Sequence, residues 1–120
     1  MLRKLLLLLS LCLLPVNASV YEDVTTGSQN IFLYIYTKDC SMCKQFSPFF
    51  DKFAAKHKEF KYVKADAHTL DGAKLMMKYG VRYVPFIVLT NPKSKKNVVI
   101  NPYCSIDEIC LERALRGFKG

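Results

Sequence analysis

An unbroken apolar and aromatic run from Ile31 to Tyr36 constrains the fold of this chain more than any other segment. Most of its residues favour β-structure, and no polar residue interrupts them. A strand of this composition has no face suited to water, so it is predicted to be buried on both faces. The chain must therefore provide a covering layer on each side of the strand, as α/β proteins do.

Two stretches with apolar residues at three- and four-residue spacings predict amphipathic helices for those layers. The first runs from Ser41 to about His57, and the second runs from Thr69 to Tyr79 and ends at Gly80. Further along, Ser105 and Glu108 have the spacing of a capping box, which predicts the start of a last helix there.

Three further strands are predicted at residues 60–66, 84–89 and 98–100. The element order is then β-α-β-α-β-β-α, within one domain. Because helices separate the first three strands, we expect parallel crossovers between them, and the final hairpin should add an antiparallel edge. The predicted fold class is α/β, with a central mixed sheet and flanking helices.

Residues 1–18 have the three parts of a secretory signal. A basic pair precedes an apolar run from Leu5 to Leu14, and Ala18 offers the small residue at which cleavage is expected. The run is too short for a spanning helix, which needs about 20 apolar residues. We therefore predict a signal peptide, an exported domain at residues 19–120 and no stable membrane anchor after cleavage. The expected location is the periplasm, or otherwise a secretory lumen or the extracellular space.

Cysteine usage is consistent with an oxidising compartment, where disulfides form and persist. A lipoprotein signal at Cys12 is disfavoured, because the bulky Leu11 stands where a small residue is expected. Cleavage would remove Cys12. Four cysteines would then remain, Cys40, Cys43, Cys104 and Cys110.

The positive charge of the chain does not point to nucleic acid. Its formal net charge is +8, but the lysines and arginines are scattered and form no dense block or aromatic-interleaved stripe. We expect a solvated positive surface and no nucleic-acid partner.

Cys40 and Cys43 lie where the predicted buried strand passes into the first predicted helix. The free N–H groups and the dipole at a helix N-terminus stabilise a thiolate, which is the nucleophile of disulfide exchange. Cys40 is therefore the predicted nucleophile. Cys43, one turn further in and less exposed, is the predicted resolving thiol. Their spacing brings both sulfurs onto one face of the helix, close enough to form a disulfide.

Two other roles for this cysteine pair remain open. A purely structural disulfide would stabilise the fold little, because it closes a very short loop. A zinc site would need Cys104 and Cys110 as its second pair, but their gap is wider than in a usual zinc knuckle. His57 and His68 are too isolated in the sequence to strengthen that case. We predict neither a metal nor another cofactor.

Cys104 and Cys110 also have two open interpretations. A helical rise of about 1.5 Å per residue would put their Cα atoms about 9 Å apart, beyond the reach of a disulfide unless the cap bends. Cys110 as a small buried apolar residue is the simpler interpretation. A second disulfide with Cys104 is the alternative.

The chain resembles thioredoxin-like oxidoreductases from Ile31 to Phe118. The resemblance rests on the apolar strand, the Cys40-Ser41-Met42-Cys43-Lys44 motif, Pro48 in the following helix and Val84-Pro85 at the start of a strand. It implies that Pro85 is cis, lies beside the reactive disulfide and helps to hold the substrate chain, and that the substrate pairs with the backbone of Val84. It also implies protein thiols and disulfides as substrates, and a redox partner protein.

The sequence departs from thioredoxin itself at several positions. Asp39 replaces an aromatic residue before the first cysteine, and Tyr34 takes the place of a buried acid that is thought to assist proton transfer at the resolving cysteine. Lys64 matches a lysine near that acid and is expected to remain as a local cation. Met42, between the two cysteines, is predicted to offer a soft contact surface to a protein substrate.

The charges beside the first cysteine act in opposite directions. Lys38 and Lys44 should lower the pKa of Cys40, whereas Asp39 should raise it. A more stable thiolate makes the disulfide a stronger oxidant. The direction of electron flow is therefore open, with Asp39, the nearest charge, favouring a reductase or isomerase.

The predicted function is a thiol–disulfide oxidoreductase acting on protein disulfides or dithiols. The alternative is a thioredoxin-like adaptor or binding module without redox turnover.

Overall fold

The computed structural model describes residues 19–120, so the predicted signal peptide lies outside the described residues. None of the helices in this part of the chain is long and apolar enough to cross a membrane. The elements in chain order are α1 (Val20–Thr25), β1 (Ile31–Tyr36), α2 (Ser41–Lys56), β2 (Lys61–Asp66), α3 (Leu70–Tyr79), β3 (Phe86–Thr90), β4 (Asn97–Val99), α4 (Pro102–Ser105) and α5 (Glu108–Gly117).

The four strands form one mixed sheet in the order β2-β1-β3-β4. Strand β1 is parallel to β2, with Ile31 opposite Lys61, and antiparallel to β3, with Ile35 opposite Phe86. Strand β4 adds the antiparallel edge predicted for the final hairpin. The α/β class and the central mixed sheet with flanking helices are confirmed.

The expectation of parallel crossovers throughout was wrong for β3. Residues 80–85 return the chain to the edge of the sheet where β1 ends, so β3 starts there and runs in the opposite direction. This reversal places the residues just before Phe86 beside the start of α2, because α2 begins at the same edge.

Strand β1 is buried on both faces, as predicted from its composition. Phe32 and Tyr34 pack into the apolar cluster that contains the phenylalanines of α2, whereas Leu33 and Ile35 pack into the cluster that contains Leu75 of α3. Each such side chain contributes about 1.5–3 kcal/mol on full burial. These two clusters fix α2 and α3 against opposite faces of the sheet.

The ends of α3 follow the local sequence. The Thr69 side chain accepts a hydrogen bond from the backbone N–H of Gly72, and Gly80 ends the helix with a φ of 61°. The absence of a Cβ lets glycine adopt this left-handed conformation without strain.

The capping box predicted at Ser105 and Glu108 was wrong. Ser105 belongs to α4, a short helix that the sequence did not predict, and its hydroxyl donates to the carbonyl oxygen of Pro102 at 2.6 Å. Asp107 caps α5 instead, accepting from the backbone N–H of Cys110 at 3.1 Å. Two helices with a turn between them thus replace one continuous helix.

That turn brings Cys104 and Cys110 together. Their Cα atoms are 5.3 Å apart, and the two residues form a disulfide. The larger separation expected from a uniform helical rise does not apply, because Ile106 and Asp107 interrupt the helix. The second disulfide, weighed as the alternative, is the arrangement present, and it ties α4 to the first turn of α5.

Candidate active site

The cysteine pair lies at the junction of β1 and α2, where the sequence predicted it. Cys40 is the N-cap of α2, and its Sγ accepts a hydrogen bond from the backbone N–H of Cys43 at 3.1 Å. The apolar face of α2 packs on the sheet, so the helix N-terminus is held at the sheet edge. Cys40 Sγ is therefore at the position where a helix best stabilises negative charge.

Cys40 and Cys43 form a disulfide, with their Cα atoms 5.2 Å apart. Cys43 is only 2% exposed, whereas Cys40 is partly exposed. An outside sulfur can approach Cys40 more easily than Cys43. This difference in exposure agrees with the order of roles expected from the sequence, with Cys40 attacking and Cys43 resolving.

Val84 and Pro85 lie against the cysteine pair. The Val84–Pro85 peptide bond is cis, and the carbonyl oxygen of Val84 is 3.9 Å from Cys40 Sγ. The antiparallel course of β3 produces this contact, because its first residues lie beside the end of β1. The Val84 backbone is thus within reach of a chain bound at Cys40.

The charged residues near the cysteines lie at the surface. Lys38 and Lys44 line a surface depression together with Cys43. A hydrogen bond from the Thr37 side chain is the main cause that lowers the pKa of Asp39, so this carboxyl is ionised at neutral pH. The structure thus keeps both signs of charge beside the start of α2.

His68 is a neighbour of the site that the sequence did not reveal. Its Nε2 lies 3.9 Å from Oδ1 of Asp39, although the two residues are far apart in the sequence. Parallel pairing of β1 with β2 brings the segments that follow Tyr36 and Asp66 to the same edge. The strand–helix–strand order in the sequence was the signal from which this contact could have been predicted.

Tyr34 lies beneath the resolving cysteine. Its hydroxyl is 3.1 Å from the carbonyl oxygen of Cys43 and 3.2 Å from Ser47 Oγ, which itself donates to the same carbonyl at 2.9 Å. Burial is the main cause that raises the pKa of Tyr34. A neutral phenol therefore occupies the position of the buried acid, and Ser47, which sequence reasoning missed, completes the hydrogen bonds.

Lys64 lies near aromatic rings at this end of the sheet. It is opposite Tyr34 in the parallel register, and its Nζ is 6.0 Å from the Tyr34 ring centre and 5.6 Å from that of Tyr36. Cation–π attraction operates at such distances. The ammonium is thus a cation beside Tyr34, as expected, and its effect on the cysteines stays a prediction.

An apolar cleft of about 410 Å³ adjoins the cysteine pair. Met42, 60% exposed, lines it from α2, and Val84 and Pro85 line it from the cis-proline segment. Pro102 and Ile106 line it from α4 and the turn after α4. The volume falls in the range of about 300–1,000 Å³ usual for ligand sites. The structure thus brings the three predicted substrate contacts, Met42, Val84 and Pro85, to one cleft.

A cluster of polar side chains lies at the other end of α2, away from the cysteine pair. His57 Nε2 is 3.4 Å from Glu112, and Glu108 is close enough to both for the three side chains to surround one ion. His57 is therefore not isolated. Lys56 Nζ also lies 3.2 Å from Glu108, so this cluster contains its own cation.

Comparison with known proteins identifies a family that matches most of the chain. The family model described as Thioredoxin matches residues 13–106. No curated protein matches the chain.

Solved structures share the fold at low sequence identity. The Trx4 domain of ERdj5 has a TM-score of 0.69 at 19% identity, covering 82% of this chain and 87% of that one. Thioredoxin from Fasciola hepatica has a TM-score of 0.62 at 19% identity, covering 77% and 83%. Oxidised thioredoxin O2 from Arabidopsis thaliana has a TM-score of 0.62 at 19% identity, covering 84% of each chain.

The family match extends over most of the sequence and includes the cysteine pair at the start of α2. With its mixed sheet and a Cys-x-x-Cys disulfide at a helix N-terminus, the chain belongs to the thioredoxin family, whose site chemistry is thiol–disulfide exchange.

Proposed function

We propose that this protein is an exported oxidoreductase that exchanges disulfides with protein substrates, with Cys40 as the nucleophile and Cys43 as the resolving thiol. One observation carries the proposal. Cys40 Sγ accepts the backbone N–H of Cys43 at the start of α2 while it lies 3.9 Å from the Val84 carbonyl. A thiolate at this position is stabilised, partly exposed and beside a backbone segment able to hold a bound chain.

Reduction of a substrate proceeds in two balanced steps. The Cys40 thiolate attacks one sulfur of the substrate disulfide, forming a mixed disulfide and releasing the other sulfur as a thiolate that takes up a proton. The Cys43 thiolate then attacks Cys40 Sγ and releases the second substrate sulfur as a thiolate, which also takes up a proton. The substrate gains two electrons, and the Cys40–Cys43 disulfide of the structure is formed. Oxidation of a substrate dithiol is the same sequence in reverse.

The substrate chain is proposed to pair with the backbone of Val84 and to contact Met42. Val84 and Pro85 precede β3, and both line the cleft with Met42. An extended segment can add main-chain hydrogen bonds at such a position while its side chains enter the cleft. The redox partner protein is expected to use the same surface, because it must reach the same sulfur.

Export is supported by the N-terminal sequence and by the second cysteine pair. Within residues 19–120, Cys104 and Cys110 lie outside the exchange site and are placed to form a disulfide, a bond that persists in an oxidising compartment. The signal-like pattern of residues 1–18 supports the same location, with the periplasm preferred. N-terminal sequencing of the protein recovered from a periplasmic extract tests this proposal. A first residue at Ser19 supports it, and an intact Met1 in the cytoplasmic fraction contradicts it.

Single-cysteine variants test the redox roles. Wild type, Cys40→Ser and Cys43→Ser are mixed with a disulfide-bonded protein such as insulin, and the products are separated without reductant. We expect a trapped mixed disulfide with Cys43→Ser, none with Cys40→Ser, and turnover only with wild type. If Cys40→Ser traps substrate instead, the two roles are reversed. If wild type turns over no disulfide, the protein is a binding module of the thioredoxin family.

A further inference from the structure

We propose that the Cys104–Cys110 disulfide holds one wall of the apolar cleft in place, and that this wall selects an apolar side chain near the reacting cysteine of a polypeptide substrate. Reduction of this second disulfide would then weaken selection without changing the chemistry at Cys40. The proposal rests on the proposed function, because it concerns the substrate of the same site.

The cleft suits an apolar side chain of a chain bound at Cys40. All of its lining side chains are uncharged. A charged side chain in the cleft would lose water without gaining an opposite charge, whereas an apolar one gains from the transfer. The cleft is continuous with the redox site, because Val84 both lines it and contacts Cys40 Sγ. The occupant is therefore part of the substrate whose sulfur meets Cys40.

The far wall of the cleft is built from a short segment. Pro102, Ser105 and Ile106 line the cleft from α4 and the turn that follows it. A four-residue helix has too few hydrogen bonds to be stable by itself. Its position must therefore be fixed by contacts with the rest of the fold.

The disulfide supplies one such contact. Cys104, in α4, is bonded to Cys110, in the first turn of α5, and α5 is anchored by the buried Leu111 and Leu115. Ile106 lies inside the loop that this bond closes, and its side chain is 68% exposed. The disulfide thus links an exposed apolar wall residue to a helix seated in the core.

The same segment exposes further apolar surface. Tyr103 is 87% exposed and Ile109 is 62% exposed, although both are large apolar residues. Exposed apolar residues gathered in one short segment are typical of a contact surface. Both residues are within three positions of Ile106 in the sequence, so the segment that forms the wall also carries exposed apolar side chains outside the cleft.

Reduction of the second disulfide is chemically balanced. A small dithiol transfers two electrons and two protons, becomes a disulfide itself and leaves Cys104 and Cys110 as two thiols. Both cysteines are partly exposed, so a small dithiol can approach them. Without the bond, no covalent cross-link ties α4 to α5, and noncovalent contacts alone fix the position of the Ile106 side chain.

Paired peptide substrates test the proposal. Two disulfide-bonded peptides differ only in one residue beside the cysteine, leucine in one and aspartate in the other. We expect wild type to favour the leucine peptide by about tenfold in kcat/KM. The Cys104→Ser/Cys110→Ser and Ile106→Ser variants should reduce this preference to about twofold. The rate with glutathione disulfide should be equal in wild type and the Cys104→Ser/Cys110→Ser variant.

General structural damage would lower the rates for both peptides together. The ratio of the two kcat/KM values therefore reports the effect of the cleft wall alone. If the Cys104→Ser/Cys110→Ser variant does not fold, Cys104→Ala/Cys110→Ala replaces it. An unchanged preference without the second disulfide overturns its role in holding the wall. Absence of any preference in wild type overturns the apolar occupant. If wild type exchanges with neither peptide nor with glutathione disulfide, the proposed function itself is overturned.

Discussion

The hydroxyl of Tyr34 is 3.1 Å from the carbonyl oxygen of Cys43, so a buried phenol contacts the backbone of the resolving cysteine. The resemblance to thioredoxin places a carboxyl at this position. A carboxyl could exchange a proton near neutral pH, but burial raises the pKa of Tyr34 above its already high ordinary value. Tyr34 therefore acts through hydrogen bonding and packing.

Replacing Tyr34 with phenylalanine should lower stability without changing how exchange depends on pH. Ser47 still donates to the Cys43 carbonyl, so we expect a loss of about 0.5–1.5 kcal/mol in the free energy of unfolding. Urea unfolding measures this loss, and the rate of exchange from pH 6 to 8 gives the profile. Tyr36→Phe, on the same strand, is the control. A shifted profile in Tyr34→Phe alone would show that the phenol takes part in proton transfer.

Replacing Tyr62 with phenylalanine should stabilise the protein. Among the described residues, no group bonds to the buried hydroxyl of Tyr62. Removing an unsatisfied buried hydroxyl avoids a desolvation cost of about 1–3 kcal/mol, so part of that amount should appear as added stability. Tyr79→Phe is the matched control, because its hydroxyl donates to Thr90 Oγ1 at 3.4 Å. A destabilised Tyr62→Phe protein would mean that this hydroxyl has a partner in solution.

The free energy of unfolding should decrease in alkaline solution, because three buried tyrosines resist ionisation in the folded protein. Burial raises the pKa of Tyr34, Tyr62 and Tyr79 in the folded protein, whereas unfolded tyrosine has a pKa of about 10. Above about pH 10 the unfolded chain binds fewer protons than the folded one, so the free energy of unfolding decreases as pH rises. Below about pH 10 these tyrosines do not change how the free energy of unfolding depends on pH.

Urea unfolding of the oxidised protein at about pH 8, 9, 10 and 11 tests this dependence. Tyr62→Phe should lose less stability than wild type over the alkaline steps, because one of the three shifted groups is gone. Equal losses in the two proteins would contradict the assignment to Tyr62.

Gly72→Ala should destabilise the fold strongly. A Cβ at Gly72, in α3, would collide with the backbone carbonyl of Asp66, and backbone cannot move aside cheaply. Overpacking of this kind costs about 1–3 kcal/mol or more. Gly117→Ala is the control, because a Cβ there meets nothing within 4 Å. Thermal unfolding of both variants compares them, and equal melting temperatures would refute the close approach of α3 to β2.

Local sequence patterns predicted the elements that depend on neighbouring residues. The composition of β1 predicted burial on both faces, and the spacing of phenylalanines predicted α2 to within a residue of its observed end at Lys56. Because these two elements meet at Cys40, the position of the redox pair was also predictable. Its function followed from the helix N-terminus and the thiol chemistry.

Features that depend on distant contacts were not predictable in the same way. The direction of β3 depends on where residues 80–85 return the chain, and no local pattern encodes that path. The break at Ile106 was hidden because Ser105 and Glu108 have capping-box spacing. The Asp39–His68 contact was predictable only in part: the strand–helix–strand order implied parallel β1 and β2, but the contact also depends on the register between them.

Reversible exchange at Cys40 and Cys43 is the central claim, and a redox titration tests it most directly. The protein is equilibrated across glutathione buffers, free thiols are alkylated and mass spectrometry assigns each cysteine. We predict that Cys40 and Cys43 change state together, reversibly, with a midpoint between about −270 and −120 mV. A pair that stays oxidised across all buffers, or never forms a disulfide, would contradict the oxidoreductase account.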